Sequence, residues 1–257
     1  MIEFNRSNFF SIKKKYKFFD LIELLKNYTL EYRLSDNFEV LDISSLNTQV
    51  KKSVLFLDKD IETSKINSNT NLIITNKKKL FYNLDLKNII LVKNLSKSWN
   101  IVINEIYSHE DSINYADEFI SSNNSYISKN SKVDKTTKIF NNCVIGKGVE
   151  IGKNCIIKNN VVIKNSLIKN NVTICDNTSI GTTGFGFDYK KRGSQYLNPQ
   201  IGIVIIDDNV HLGSCCTVDR GKIDYTFIGK NSMIDNMVHI AHNVIIGENA
   251  CIAAQTG

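Results

Sequence analysis

The sequence predicts a mainly β protein, a left-handed parallel β-helix built from hexapeptide repeats and preceded by a small α/β domain. Three observations predict it. Aliphatic residues recur every six positions from Ile127 to the end of the chain. Gly or Asn recurs at fixed offsets from them. Before about residue 107 the periodicity is of a different kind, with helical and strand-like runs in alternation.

Residues 1–107 come first. Phe18, Phe19, Leu21, Ile22, Leu24 and Leu25 fall on one broad face of a helix, and β-rich runs follow at 38–43, 54–57, 71–75 and 88–92. That order predicts a small α/β domain, joined by a linker at 108–126 to the repeat region 127–257. In the repeat region the aliphatic positions are 127, 133, 139, 145, 151, 157 and 163, then, after a one-residue slip, 168, 174 and 180. They resume at 206, 212 and 218 and again at 228, 234, 240, 246 and 252. A period of six fits neither a helix face nor an alternating strand. It fits a solenoid in which each hexapeptide supplies one flat side and one corner, the aliphatic residue pointing inward. Gly follows Ile145, Ile151, Ile180, Leu212, Ile228 and Ile246, and Asn or Asp commonly stands three residues after the aliphatic position. Both are expected to allow tight corners with positive φ.

Two stretches break the count. GTTGFGFDYKKRGSQYLNPQIGIVI fills the step from Ile180 to Ile206 and carries Phe185, Phe187 and Tyr189 among glycines, and DRGKIDYTF lengthens the step from Val218 to Ile228. Excursions from a solenoid are where sites are built, because coils supply rigidity and loops supply chemistry.

Composition narrows the function. At 257 residues and 42% apolar content the chain can bury a real core despite having a single proline and many Lys and Asn. The net charge of +6 is spread along the chain apart from short clusters at 13–15, 77–79 and 190–192, which argues against a nucleic-acid stripe. All six cysteines lie in the C-terminal half without C-x-x-C spacing; Cys143 and Cys155 share one phase of the repeat, as small apolar fillers would. No apolar run reaches the roughly 18 residues of a membrane span, and the N-terminus lacks an export signal, so a cytoplasmic protein in a reducing compartment is expected.

Two of the four histidines, His239 and His242, lie in DNMVHIAHNVIIG. Relative to the inward Ile240, His242 falls near a coil corner with its ring outside the core. Stepping back one coil, and allowing for the four-residue lengthening, places Arg220 beneath it, with Asp219 or Asp224 available to orient the imidazole. A histidine of near-neutral pKa can take a proton from an attacking amine or hydroxyl, and no Ser-His-Asp or Cys-His signature of covalent catalysis is visible, so direct transfer is the simpler chemistry.

The stretch FGFDYKKRGSQYLNPQIGIVIIDDNVHLGSCCTVDRGKIDYTFIGKNSMIDNMVHIAHNVIIGENACIAAQTG, residues 185–257, resembles the UDP-3-O-acylglucosamine N-acyltransferases of lipid A biosynthesis, in which PQIG, DRG, DN and IAHN occur in the same order and spacing. The resemblance implies a homotrimer with sites between neighbouring helices, and an acyl chain delivered on the phosphopantetheine of acyl carrier protein with no other cofactor or metal. The acceptor is the amine of a UDP-linked 3-O-acyl-glucosamine, His242 is the general base, and backbone N–H groups stabilise the oxyanion. It also implies acceptor or site-wall contacts from Asp219, Arg220, Asp235, Asn236 and His239, and a uridine-binding role for the N-terminal domain through Phe56 in SVLFLDKDIETSK. Two departures stand out. The family's Asn and Tyr downstream of that aromatic are here Lys59 and Glu62, and the sequence ends at Gly257 in mid-repeat, where the family continues with further coils, another functional histidine and helices. The chain therefore reads as incomplete.

An O-acyl- or acetyltransferase of the same fold is the nearest alternative, and a non-catalytic remnant another. A zinc hydratase on the same scaffold would need His211, His239 and His242 to converge; His211 and His239 stand four hexapeptide steps apart, hence on different sides of one subunit.

Overall fold

The computed structural model describes residues 4–35, 37–48, 50–59, 65–66, 70–83, 88–107, 119–187 and 197–257. The chain divides into two compact units, 1–4 with 11–109 and 188–199, and 5–10 with 110–187 and 200–257.

The first unit is a five-stranded sheet with helices. Asp42–Ser44, Ser53–Leu57, Thr70–Thr75 and Ile89–Val92 pair in parallel, and Thr29–Arg33 adds an antiparallel edge beside Ile89–Val92. The inner strands read SVLFL and IILV, near-continuous apolar runs with almost every residue buried, as parallel strands covered on both faces require. Helix Phe18–Leu24 buries Phe18 and Leu21, and helix Leu95–Ile106 buries Trp99, Val102, Ile103 and Ile106 at helical spacing, its start capped by Asn94 Oδ1 accepting from the Lys97 N–H. The helix and three of the β runs read from the sequence are present as single elements, whereas the run at 38–43 divides into Glu39–Val40, which pairs antiparallel with Tyr16–Lys17, and Asp42–Ser44, which joins the five-stranded sheet. The edge strand and Leu95–Ile106 had not been read, since TLEYR has a polar middle and Leu95–Ile106 follows an apolar strand almost without a break.

The second unit is a parallel β-helix with three sheets. The first contains Ser125–Ser128, Val144–Ile145, Val162–Ile163, Ser179–Thr182, Thr217–Asp219 and His239–Ile240, with Phe119–Ser122 antiparallel at its start. The second runs from Lys132–Val133 through Glu150–Ile151, Ser166–Ile168, Ile203–Ile206 and Tyr225–Ile228 to Ile245–Ile246, and the third from Lys138–Ile139 through Ile156–Ile157, Thr173–Ile174, His211–Leu212 and Met233–Ile234 to Cys251–Ile252. Every aliphatic position of the repeat stacks on its counterpart one coil away, Ile127 on Ile145 on Ile163 on Ile180 on Val218 on Ile240 in the first sheet. These side chains form one continuous core, with Cys143, Cys155, Val172 and Cys216 filling the corners between them. Each buried Ile contributes about 1.5–3 kcal/mol by leaving water.

Corner geometry divides the labour between Asn and Gly. Asn142, Asn154, Asn160, Asn171, Asn177, Asn209, Asn231 and Asn249 all have φ between 55° and 60°, the left-handed region that Asn tolerates. The repeat glycines do something else: apart from Gly181, they are not at positive φ. A Cβ on Gly152 would meet Lys169 O at 2.7 Å, and one on Gly213 would meet Asn236 N at 2.6 Å, so the close stacking of coils excludes it. The positive φ expected of both residue types thus belongs mainly to Asn.

Residues 5–10 belong to this unit. Asn5 caps the short turn Arg6–Asn8; Arg6 is buried and donates from Nε to Ile201 O at 3.0 Å and from Nη2 to Ile223 O at 3.0 Å; Phe9 and Phe10 are buried behind it. Among the described residues no helix is long and apolar enough to cross a membrane.

Candidate active site

Both interruptions of the repeat and His242 occur at one edge of the helix, the corner where the chain passes from the first sheet to the second. The long excursion leaves after Ser179–Thr182 and returns at Ile203–Ile206, the DRGKID segment joins Thr217–Asp219 to Tyr225–Ile228 one coil on, and His242 lies between His239–Ile240 and Ile245–Ile246 on the coil after that. The excursion starts at Gly181, whose φ is +80°. A Cβ there would lie 1.7 Å from Lys164 O, so only glycine can open the loop. Tyr189, the 190–192 cluster and the middle of the loop lie outside the described residues.

His242 is half-buried at this corner, and the register that pairs Val218 with Ile240 sets Arg220 one coil beneath it, as the count from the sequence gives. Its immediate partner is Asn243: Nδ1 lies 3.0 Å from Asn243 Oδ1. That same oxygen accepts the Lys222 backbone N–H at 2.9 Å, which identifies it as the amide oxygen, so Nδ1–H donates to it and, in the neutral ring, the lone pair is at Nε2. Asn243 is itself fixed, at φ 66° with its N–H donating to Thr226 Oγ1 at 2.9 Å. An imidazole held by one nitrogen, with no hydrogen bond from the described residues to the other, has the arrangement a general base needs. The partner of the ring is thus an amide, Asn243 of the IAHN element, and not the carboxylate of Asp219 or Asp224 expected from the sequence; Asn243 also takes the Asn position of the corner.

Asp219 serves the other histidine. Its Oδ2 lies 3.8 Å from His239 Nε2, its Oδ1 accepts the Thr182 hydroxyl at 2.6 Å, and Thr217 Oγ1 lies 2.7 Å from His239 Nδ1. His239 is therefore an exposed ring hydrogen-bonded at Nδ1, with the Asp219 carboxylate near its other nitrogen but beyond hydrogen-bond distance. Asp224, the second carboxylate considered for His242, meets the excursion through its backbone carbonyl, which accepts from Ile203 N–H at 3.0 Å.

Arg220, expected among the acceptor contacts, is buried, and its guanidinium is directed at backbone: Nε donates to Gln200 O at 3.0 Å and Nη1 to Gly181 O at 3.1 Å. Asp235 and Asn236 stand at the other end of the His239 strand, on the corner between the third and first sheets. Asn236 accepts the Ser214 N–H at 2.7 Å and donates its own N–H to Asp235 Oδ1 at 2.7 Å. Phe56 belongs to the α/β unit, where its half-buried ring meets Trp99 edge-on at 5.1 Å. Lys59 is exposed, and Glu62 lies outside the described residues.

Beside His242 stands Gly184, which the sequence reading passed over. A Cβ on Gly184 would come within 2.7 Å of His242 Cδ2 and 2.9 Å of Gln200 Nε2. The adjacent Phe185 is 78% exposed and meets Phe187 edge-on at 4.8 Å. Such an aromatic has been given to solvent, one residue from the glycine that abuts His242, and not to the core. An open groove of about 640 Å³ along the second sheet is lined by Lys132, Glu150 and Asn170 among others and contains none of the candidate residues. His211 is in the third sheet and His239 in the first, so the histidines of a zinc site do not converge within one chain.

Comparison with known proteins follows the repeat. The family described as bacterial transferase hexapeptide (six repeats) matches residues 225–257, and that described as GMPPB C-terminal domain matches 123–190. The UDP-3-O-acylglucosamine N-acyltransferase of Methylacidiphilum infernorum is 54% identical over 78 residues, 30% of this chain and 22% of that protein. This chain's C-terminal part is homologous to the UDP-3-O-acylglucosamine N-acyltransferases. The enzyme of that name from Geobacter sp. strain M21 is 51% identical over 81 residues, 31% of this chain and 23% of that protein, and the one from Francisella tularensis subsp. holarctica is 53% identical over 77 residues, 30% and 23%. The chain thus matches under a quarter of the length of these relatives. Among solved structures, the UDP-N-acetylglucosamine O-acyltransferase of Moraxella catarrhalis is 27% identical, with a TM-score of 0.42 over 49% of this chain and 48% of that one.

Proposed function

We propose that this protein transfers an acyl chain from acyl carrier protein to the amine of a UDP-linked 3-O-acyl-glucosamine, as a cytoplasmic enzyme of lipid A biosynthesis, with His242 as general base. The observation that carries the proposal is the orientation of the His242 ring: Asn243 Oδ1, which accepts the Lys222 N–H, also accepts the Nδ1–H, so that in the neutral ring Nε2 is the nitrogen left to accept.

In this reading the amine nitrogen attacks the thioester carbonyl carbon while Nε2 takes the proton that the nitrogen sheds. The tetrahedral intermediate then collapses, the C–S bond breaks, and the imidazolium returns its proton to the departing sulfur. An amide and a free phosphopantetheine thiol result, no covalent enzyme intermediate forms, and no other cofactor or metal is needed. His239 contacts the acceptor beside His242 with Asp219 behind it, Arg220 supports the wall of the site through its bonds to backbone, and Phe56 lies against the uracil. The functional form is a homotrimer with sites between neighbouring helices.

The test is N-acyl transfer from acyl carrier protein thioesters by the wild-type chain and by His242→Ala, both shown to be folded. A fall of about two to four orders of magnitude in the variant is expected. Equal rates in the two would remove His242 from the chemistry. A hydroxyl-bearing acceptor assayed alongside separates N- from O-transfer.

A further inference from the structure

We propose that Arg220 and Gln200 are positioning residues, a clamp on the neck of the long excursion that seats Gly184 against His242 and so sets where the imidazole stands. The functional importance of that seat rests on the reading of His242 as the base; the clamp itself can be tested without activity.

The loop that leaves at Gly181 and returns at Gln200 lies outside the hexapeptide repeat, and its neck is held by backbone bonds at Thr182 and Ile201 together with side chains that tie its two ends to each other. One guanidinium spans both ends. Arg220 Nε donates to Gln200 O at the return and Nη1 to Gly181 O at the departure, while its own backbone N–H donates to Thr182 O at 2.9 Å. A planar fork can hold two carbonyls at a set separation; a lysine ammonium is a point donor and cannot. Arg220 is 7% exposed and its guanidinium carbon lies 5.6 Å from the ring centroid of Phe10, a setting in which hydrogen bonds are stronger than they would be at the surface. Phe10 is held in turn by the turn at Arg6, which is tied to Ile201 O beside the same neck.

Gln200 passes the constraint on. It is 2% exposed, its carbonyl accepts from Arg220, and its side-chain Oε1 accepts the Gly184 N–H at 2.7 Å. Gly184 then presents a bare Cα to the ring, too close for any Cβ. The imidazole is thereby gripped from two directions, hydrogen-bonded at Nδ1 by Asn243 and bounded at Cδ2 by Gly184. A displacement of about 1 Å in a catalytic group can cost a hundredfold in rate, which is the scale on which such a seat matters.

The test reads the ring directly. In the chain carrying ¹³C-labelled histidine, the Cδ2–H resonances of His242 and His211 are followed in Gly184→Ala, Gln200→Met and Arg220→Lys, together with hydrogen exchange of the Gly184 amide. Expected are a shifted His242 resonance in all three, an unshifted His211 resonance from the third sheet, which reports that the helix is intact, and Gly184 exchange at least about tenfold faster in Gln200→Met and Arg220→Lys. In N-acyl transfer, kcat falls about 10- to 100-fold with KM within about threefold, and Gly184→Ala costs nothing further when added to His242→Ala. An unmoved His242 resonance with unchanged Gly184 exchange in folded Gly184→Ala and Arg220→Lys overturns the clamp. A full additional loss in the double variant overturns the positioning role, because the loop would then act on substrate and not through the ring. If His242→Ala alone keeps full activity, the base assignment fails while resonance and exchange still decide whether the clamp exists.

Discussion

Two edges of the same β-helix solve the same corner in opposite ways. Between the second and third sheets the corner residues are Asn154, Asn171, Asn209, Asn231 and Asn249, and each side-chain amide donates to the next Oδ1 at 2.9–3.4 Å, so that one residue type satisfies both the left-handed backbone and its neighbours. Between the first and second sheets the corresponding positions pass through Gly148 and Asn165, are then displaced by the long excursion and the DRGKID segment, and end at Asn243, whose Oδ1 is used by Lys222 N–H and the His242 ring. The Asn edge is a ladder paired along its own length. The other edge has given up that ladder, and a buried arginine, a glutamine and a bare glycine hold it in its place. A solenoid can host a site on one edge because its other two keep the stack in register.

The comparison is tested most severely in the core that both edges share. Ile157→Ala, in an uninterrupted coil, is expected to cost about 2–4 kcal/mol in urea unfolding, whereas His242→Ala costs within about 0.5 kcal/mol. If the two cost the same, the active edge is part of the structural frame and the contrast fails. One step smaller is the same residue type on the two edges. Asn171→Ala and Asn243→Ala each place alanine at positive φ and remove side-chain hydrogen bonds, for about 1–3 kcal/mol apiece. Only Asn243→Ala should also lower the acyl-transfer rate, by about 10- to 100-fold, because the tautomer of His242 is then unheld. A comparable activity loss in Asn171→Ala at matched stability would show that the edges are not separable.

The third corner, between the third and first sheets, is intermediate. Its ladder runs from Asn142 through Asn160 to Asn177, and is then broken at Cys215 and Met237, both still at positive φ, with φ of 57° and 56°. Cys215→Asn is expected to restore one rung and to add about 0.5–1 kcal/mol of stability with no change in rate. A rate loss instead would make the interrupted rung part of the site.

How much of this was legible in the sequence follows from how often each constraint is repeated. The coil core could be read residue by residue, Ile127 to Ile252, because the same inward position is written at every step, and the placement of His242 above Arg220 followed from counting alone. The role of glycine was misread, since a sequence shows that Cβ is absent and not whether φ or a neighbouring coil forbids it; Gly152 and Gly213 answer to the neighbour. The partners of the two histidines were not legible either. Asp219 was a fair candidate for His242 by chain distance, yet it reaches His239 because strands Thr217–Asp219 and His239–Ile240 are paired, while Asn243 was hidden by having a corner role of its own. Gly184 and Gln200 lie within the one segment where the repeat offers no register at all.

The smallest effect expected concerns the cysteines. Cys143, Cys155 and Cys216 lie in the coil core, all three thiols donate to backbone carbonyls of the following coil, and burial pushes each thiol above its ordinary value. Cys215 and Cys251 are exposed. Only the thiolate is alkylated, so at pH 8 iodoacetamide should modify Cys215 and Cys251 within the native state and the three core thiols only as the helix unfolds. Because the folded pKa is raised, the neutral core thiols contribute stability that is fully present below the unfolded thiol value and is lost as pH climbs through the folded one, so their protection should weaken only in alkali. Mass spectrometry of partly modified protein checks this. Early labelling of Cys216 together with continued protection of Cys143 and Cys155 would show that the coil beneath the active edge opens on its own, which would turn the contrast between the edges from one of chemistry into one of local stability.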